Sequence, residues 1–152
     1  SDVYKRQVPE PIIEGTATRI MSLRDGTKKM SKSETSDMSR INLTDDNDFI
    51  RKKIQKAKTD PFEIPSENEE LVDRPEAENL LGIYATLANQ SIERTLEQFS
   101  GSDFKKLKDE LSDLLISELE PINKEIKKLL DQEEYIVEIL THLLHLLTFF
   151  FC

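Results

Sequence analysis

Residues 29 to 33 read "KMSKS", three residues after a turn signal, "DG", at 25 and 26. Ammonium groups, hydroxyls and the free backbone N–H groups of a loop are the donors that bind phosphate. Lys29 and Lys32 are therefore candidate phosphate-binding cations, and Ser31 and Ser33 are candidate hydroxyl donors. The pattern differs from a P-loop, because no glycine directly precedes the Lys-Ser pair.

The same loop also fits a less specific interpretation. Lysine- and serine-rich loops are often solvated surface, and Ser31, Ser33, Thr35 and Ser36 could equally be phosphorylation targets. The residue types alone leave both interpretations open.

The distribution of charge favours one focused anionic ligand. The chain of 152 residues has a formal net charge of −9, but from Arg24 to Lys58 ten basic residues stand against six acidic ones, a local balance of +4. An acidic protein repels polyanions in general, so a protein that coats nucleic acid is disfavoured.

The single cysteine, Cys152, excludes an internal disulfide framework and indicates a cytoplasmic protein. His142, His145 and Cys152 could in principle ligate a metal, but their segment offers no supporting acids, and we expect no metal site. Residues 136 to 152 are mostly apolar yet shorter than the roughly 20 residues of a membrane span, so we expect no membrane partner.

The elements that would carry the loop are mostly helical. The run "TRIMSL" before it predicts one short strand, residues 24 to 40 predict an exposed loop, and a helix capped by Asp48 or a neighbour should follow. A connection rich in proline and acid covers 59 to 76. Pro75 should open the next helix, and another should run from Ser91 to Phe99.

The longest helical pattern follows Gly101, with Ser102 as its predicted cap. Pro121 should kink or break this helix, because proline removes a backbone hydrogen bond. "DQEEYIVEIL" would then begin a separate final helix. The lysines of the long pattern, at 105, 106, 108, 124, 127 and 128, are expected to lie on a solvated face.

The string "KMSKS" is identical to the second signature of class I aminoacyl-tRNA synthetases. Its flanks, "RIMSLRDGTKKMSKS" and "INLTDDNDFIRKKIQKAKTD", resemble the tryptophanyl-tRNA synthetase family. "RPEAENLLGIYATL" and "ELEPINKEIKKLLDQ" look like that family's carboxy-terminal helices. The resemblance runs from Val8 to Leu140.

This resemblance implies a ligase that activates tryptophan with ATP and transfers it to the tryptophan tRNA. It makes Lys29 and Lys32 catalytic residues that stabilise the departing pyrophosphate, and places Met30, Ser31 and Ser33 with them in ATP binding. The implied cofactor is ATP with Mg²⁺, without a protein-bound metal, and the implied partners include a second subunit in a homodimer. Individual tRNA-contacting residues cannot be assigned.

The resemblance also implies a domain organisation. Residues 1–62 would be the end of a Rossmann-type α/β catalytic domain, its last strand and its loop, with 1–7 as a sequence scar. Residues 63–152 would be a helical bundle like an anticodon-binding domain, with 141–152 as an anomalous tail. The fold class expected is therefore mainly α. The family's Rossmann half has no counterpart here, so the isolated chain is expected to be inactive.

Two alternatives stay open. The related tyrosyl-tRNA synthetases share the architecture and sometimes the signature. A non-enzymatic helical interaction module with a basic loop would explain the helices but not the signature.

Overall fold

The fold is built from four α-helices. The computed structural model describes residues 19–151, with side chains described through residue 145. The helices are α1 (Asn47–Gln55), α2 (Pro75–Leu87), α3 (Ile92–Phe99) and α4 (Phe104–Phe151), and two short 3-10 helices cover Asp37–Ser39 and Asn68–Leu71. The predicted mainly α fold is confirmed. The predicted scar at 1–7 and Cys152 lie outside the described residues.

The predicted strand takes a reduced form. From residue 19 onward the structure has one isolated antiparallel bridge, between Met21 and Lys29, and no extended strand. The backbone of Met21 instead bonds to a helix side chain: its N–H donates to Asn79 Oδ1 at 2.9 Å, and its carbonyl accepts from Asn79 Nδ2 at 3.0 Å. An asparagine on α2 thus stands where a neighbouring strand would pair.

Three predicted helix starts agree with the structure. Asp46, a neighbour of Asp48, caps α1 by accepting from the N–H of Phe49. Pro75 is the first residue of α2, and Ser91 caps α3. The predicted Ser102 cap of α4 is wrong. Its hydroxyl donates back to the Phe99 carbonyl, and Asp103 accepts from the N–H of Lys106 instead.

Helix α4 passes through Pro121 without a break, so the predicted separate final helix is also wrong. Ser117, whose carbonyl loses its partner to the proline, and Pro121 itself are both exposed, so water can satisfy that carbonyl. Beyond the proline, Asn123 holds the helix by donating to the carbonyls of Leu43 and Asp45.

The helices share one apolar core. Residues of α2 and α3 pack against the first half of α4, and α1 packs against α4 from the other side. Tyr84 and Phe99 meet edge to face with ring centroids 4.9 Å apart, a favoured aromatic geometry. Leu23, directly before the "DG" turn, is buried in the same core. The loop and the helices therefore belong to one packed body.

One lysine expected on the solvated face of α4 is buried. Lys108 donates to the carbonyls of Gln55 and Ala57, at 3.2 and 2.7 Å, at the end of α1. Its burial lowers the pKa of the ammonium group. A cation suits these carbonyls because they are the negative end of the α1 dipole.

The second half of α4 leaves the core. Most of its apolar side chains from Ile122 to Leu144 are exposed. Along the part of the chain that the structure describes, no helix is long and apolar enough to span a membrane. Over the same residues, including His142 and His145, no group of three potential ligands could hold a metal ion.

Candidate functional site

The residues singled out at 29 to 33 lie on one arm of a tight hairpin. The N–H of Ser22 donates to the Lys28 carbonyl at 2.8 Å, and the N–H of Met30 donates to the Ile20 carbonyl at 3.1 Å. The reversal falls at the predicted "DG" turn. Residues 29 to 32 are thereby held at the end of a paired segment.

The turn is stabilised by its own aspartate. Asp25 Oδ1 accepts from the N–H and the hydroxyl of Thr27, at 3.1 and 2.6 Å. The Thr27 hydroxyl, with smaller contributions from the Thr27 N–H and from Lys28, lowers the pKa of Asp25 to about 2. Lys28 is ion-paired with this carboxylate at 3.3 Å. Lys28 therefore belongs to the turn and not to the candidate site.

An open cleft of about 830 Å³ lies beside the hairpin. Its lining combines Lys29, Met30, Ser31 and Lys32 with the segment from Arg40 to Thr44, here called the 40–44 wall, and with Arg19 and Ile20. The structure thus brings four of the five predicted residues to one cleft. Ser33, the fifth, is not among the lining residues.

The lining is basic. It carries the side chains of Arg19, Lys29, Lys32 and Arg40, and no described lining residue is acidic. Lys29 and Lys32 are exposed, and neither has an ion-pair partner among residues 19–145. Such a surface attracts anions, and it can bind one without first breaking an internal salt bridge at either lysine.

The serines of the signature bond to each other. Ser31 Oγ and Ser33 Oγ lie 2.8 Å apart, and the Ser33 N–H donates to Ser31 Oγ at 3.2 Å. Ser33 therefore shapes the loop, while Ser31 faces the cleft. A hydroxyl can rotate to offer its proton to a ligand, so this arrangement leaves Ser31 able to donate.

The sequence prediction missed the 40–44 wall of the cleft. Arg40, Asn42 and Thr44 follow the signature by several residues in a polar loop, and their spacing carries no periodic signal. Arg40 is fixed there by donating to the Glu34 carbonyl at 3.0 Å and to Asn42 Oδ1 at 3.2 Å. The sequence did contain one hint, since Arg40 is a further basic residue at the end of the predicted loop.

The hairpin is anchored to the helices behind it. The N–H of Leu23 donates to the Ser39 carbonyl, and the Leu23 carbonyl accepts from the N–H of Lys58. Gly26 lies against the first turn of α2, where a Cβ atom would come within 2.6 Å of the backbone of Pro75 and Glu76. Glycine is required at this position because no side chain fits.

Comparison with known proteins identifies the family. The family model for tRNA synthetases class I (W and Y) matches residues 2–139. A tryptophan–tRNA ligase of Rhizobium meliloti (strain 1021) is 58% identical over 131 residues, which are 86% of this chain and 37% of the relative. A tryptophan–tRNA ligase of Rickettsia felis is 48% identical over 134 residues, 88% of this chain and 40% of the relative.

A solved structure agrees with this family match. The crystal structure of tryptophanyl-tRNA synthetase from Mycoplasma pneumoniae matches with a TM-score of 0.59 and 30% identity, over 73% of this chain and 35% of that chain. This chain thus spans well under half of the length of the relatives it matches. With matches of this extent, the chain belongs to the class I tRNA synthetase family that comprises the tryptophan (W) and tyrosine (Y) enzymes.

Proposed function

We propose that this chain forms the carboxy-terminal part of a tryptophan–tRNA ligase and that its basic cleft receives the phosphates of ATP. The carrying observation is one cleft lined both by Lys29, Met30, Ser31 and Lys32 and by Arg40. Cations, hydroxyls and backbone donors of this kind suit a polyphosphate. The similarity to tryptophan–tRNA ligases supports the choice of reaction.

The first step of that reaction makes charge that lysines can stabilise. A carboxylate oxygen of tryptophan attacks the α-phosphorus of ATP, a new P–O bond forms, and the bond to pyrophosphate breaks. The bonding electrons leave with the pyrophosphate. Cations that contact its oxygens more tightly in the transition state than in the ground state accelerate the step. In the second step, the tRNA's terminal hydroxyl displaces AMP from the adenylate.

Lys29 and Lys32 are the proposed catalytic residues. Both are exposed at the cleft and have flexible stems that can follow the departing pyrophosphate. Met30 would contact the adenine through its backbone. Ser31 would donate its hydroxyl to phosphate, and Ser33 would hold the loop through Ser31.

The described cleft does not fit a magnesium ion held by protein ligands. Mg²⁺ prefers carboxylate and other oxygen ligands, and no described lining residue is acidic. An ion required by the reaction would arrive with the phosphates of ATP.

The partners follow from the proposed reaction. The helical region from Arg74 onward would contact the tryptophan tRNA, and the complete enzyme would be a cytoplasmic homodimer. The predicted domain boundary between residues 62 and 63 stays a prediction. It would separate two functions and not two packing units, since Leu23, Ile50 and Ile54 share one core with the helical region.

The test is pyrophosphate exchange into ATP, measured with tryptophan and with tyrosine on the protein encoded by the complete reading frame that contains these residues. Exchange that depends on tryptophan supports the proposal. Exchange with tyrosine alone would establish the tyrosyl enzyme, and no exchange with either amino acid would restore the helical interaction module.

A further inference from the structure

One lysine of α1 is fully buried behind the cleft. The side chain of Lys53 is 0% exposed, although its neighbours Arg51 and Lys52 in the same helix are exposed. An ammonium group is costly to bury unless it is paired and hydrogen-bonded. The hydrogen bonds and ion pairs described for Lys53 go to residues outside the cleft lining, so the proposed chemistry does not account for it.

Two carboxylates and one ring pair with this cation. Lys53 Nζ lies 2.6 Å from Asp45 Oδ2 and 2.9 Å from Asp37 Oδ2, and it stands 4.4 Å from the centroid of the Phe49 ring. The Asp45 side chain is only 5% exposed. The hydrogen bond from Lys53 is the main reason why the pKa of Asp37 is lowered.

The same carboxylates hold the wall of the cleft. Asp45 Oδ2 accepts from the N–H of Asn42 at 2.8 Å, and Asp37 Oδ1 accepts from Asn42 Nδ2 at 2.9 Å. Asp37 Oδ1 also lies 3.0 Å from Arg40 Nη2. Arg40 and Asn42 both line the cleft. A chain of contacts therefore runs from Lys53 through two carboxylates to the 40–44 wall of the cleft that Lys29 and Lys32 also line.

The charges in this cluster balance. Lys53 and Arg40 carry two positive charges against the two negative charges of Asp37 and Asp45. Without Lys53, the carboxylates would repel each other and compete for Arg40 alone. A net negative charge would then stand beside the wall that an anion must approach, and solvent screens the buried Asp45 carboxylate poorly.

We propose that Lys53 is a positioning residue for the activation step: by neutralising Asp37 and Asp45, it fixes the 40–44 wall of the cleft where the phosphates of ATP bind. This inference rests on the proposed function. It assigns Lys53 no contact with the substrate, and it explains why a lysine is buried at this position of α1.

The test compares Lys53→Met with Lys52→Met, its exposed neighbour, in the protein of the complete reading frame. We expect Lys53→Met to raise the KM for ATP by roughly 10-fold or more, as losses of buried charge partners do, with little change in the KM for tryptophan. Lys52→Met should leave both values within about 2-fold of wild type. KM does not depend on the amount of active enzyme, so a loss of folded protein alone would leave both KM values unchanged.

A charge-compensated variant separates neutralisation from packing. Lys53→Met combined with Asp45→Asn leaves Asp37 and Arg40 as a balanced pair, so the KM for ATP should return to within about 3-fold of wild type. If the single variant Lys53→Met does not fold, the KM for ATP of the double variant is the deciding measurement. An ATP KM that stays raised in it would contradict the inference.

A second readout does not depend on activity. In this chain, Lys53→Met should speed hydrogen exchange at the amides of Asn42 and Asp45 by roughly 10-fold or more, while amides of α2 and α3 stay protected.

If wild-type protein shows no exchange of pyrophosphate with either amino acid, the proposed function fails and the inference fails with it. If wild-type protein is active and Lys53→Met keeps the wild-type ATP KM, only the inference fails.

Discussion

Lysine side chains occupy three different environments around the cleft. Lys29 and Lys32 face the cleft, Lys28 is paired with Asp25 in the turn, and Lys53 is buried with two carboxylates. The signature string distinguished the first two lysines from their neighbours. Nothing in the local sequence marked Lys53, because its partners are eight and sixteen residues away in a loop without periodicity.

At the residue scale, Gly26→Ala should destabilise the fold. The new Cβ atom would lie 2.6 Å from Pro75 C and Glu76 N and 2.8 Å from Pro75 O, all backbone atoms that cannot rotate away. Overpacking of this kind costs about 1–3 kcal/mol. The free energy of unfolding in urea measures it.

The control for this substitution is Thr35→Ala, at an exposed position of the same loop. It should change the free energy of unfolding by less than about 0.5 kcal/mol. Equal stability of Gly26→Ala and wild type would show that the hairpin and α2 are not in the close contact described.

Element boundaries were predictable where a local signal sets them. Asp46, Pro75 and Ser91 act through backbone groups of the first helical turn, so the sequence alone contains the cause. The continuation of α4 through Pro121 depends on the exposure of Ser117 and on the bonds from Asn123 to a distant loop. Neither is visible in a local pattern.

The contact between α2 and the end of the α1 region should depend on pH. Lys58 Nζ lies 2.8 Å from Glu76 Oε1, and the hydrogen bond from Lys58 is the main cause of the lowered pKa of Glu76. The unfolded chain therefore binds more protons near this carboxylate's usual pKa of 4.5, so stability is present above that pH and is lost as pH falls through the lower folded value.

We expect Glu76→Gln to reduce stability at pH 7 and to flatten the loss of stability between pH 7 and pH 3. Glu78→Gln, at an exposed carboxylate of the same first turn, is the matched control. Urea unfolding across this pH range measures both. If Glu76→Gln loses stability with falling pH as steeply as the control does, the Lys58–Glu76 ion pair does not cause the pH dependence.

At the scale of the whole molecule, the packed body ends well before α4 does. Among the side chains described through residue 145, the last buried apolar one of α4 is Leu115, and side chains such as Leu129, Ile136 and Leu143 are exposed. Exposed apolar surface of this extent promotes association in water. The sequence predicted the apolar tail, but its packing could not be read from a helical pattern that shows only which residues share a face.

Removal of residues 141–152 should therefore reduce association without weakening the core. In sedimentation velocity, the full chain should form larger species as its concentration rises, and the shortened chain should do so less. The thermal midpoint of the shortened chain should stay within about 2 °C, because residues 141–145, the part of the deleted stretch whose side chains are described, are exposed. A large drop in the midpoint, or equal association of both chains, would contradict this view of α4.

The most direct test of the central claim is the rate of adenylate formation in Lys32→Ala and Lys28→Ala, measured before the steady state in the protein of the complete reading frame. If the cleft lysines stabilise the departing pyrophosphate, Lys32→Ala should slow this step by roughly 100-fold or more while the affinity for ATP changes less. Lys28→Ala, which removes a charge of the turn, should stay close to wild type. Equal rates in wild type and Lys32→Ala would contradict the claim.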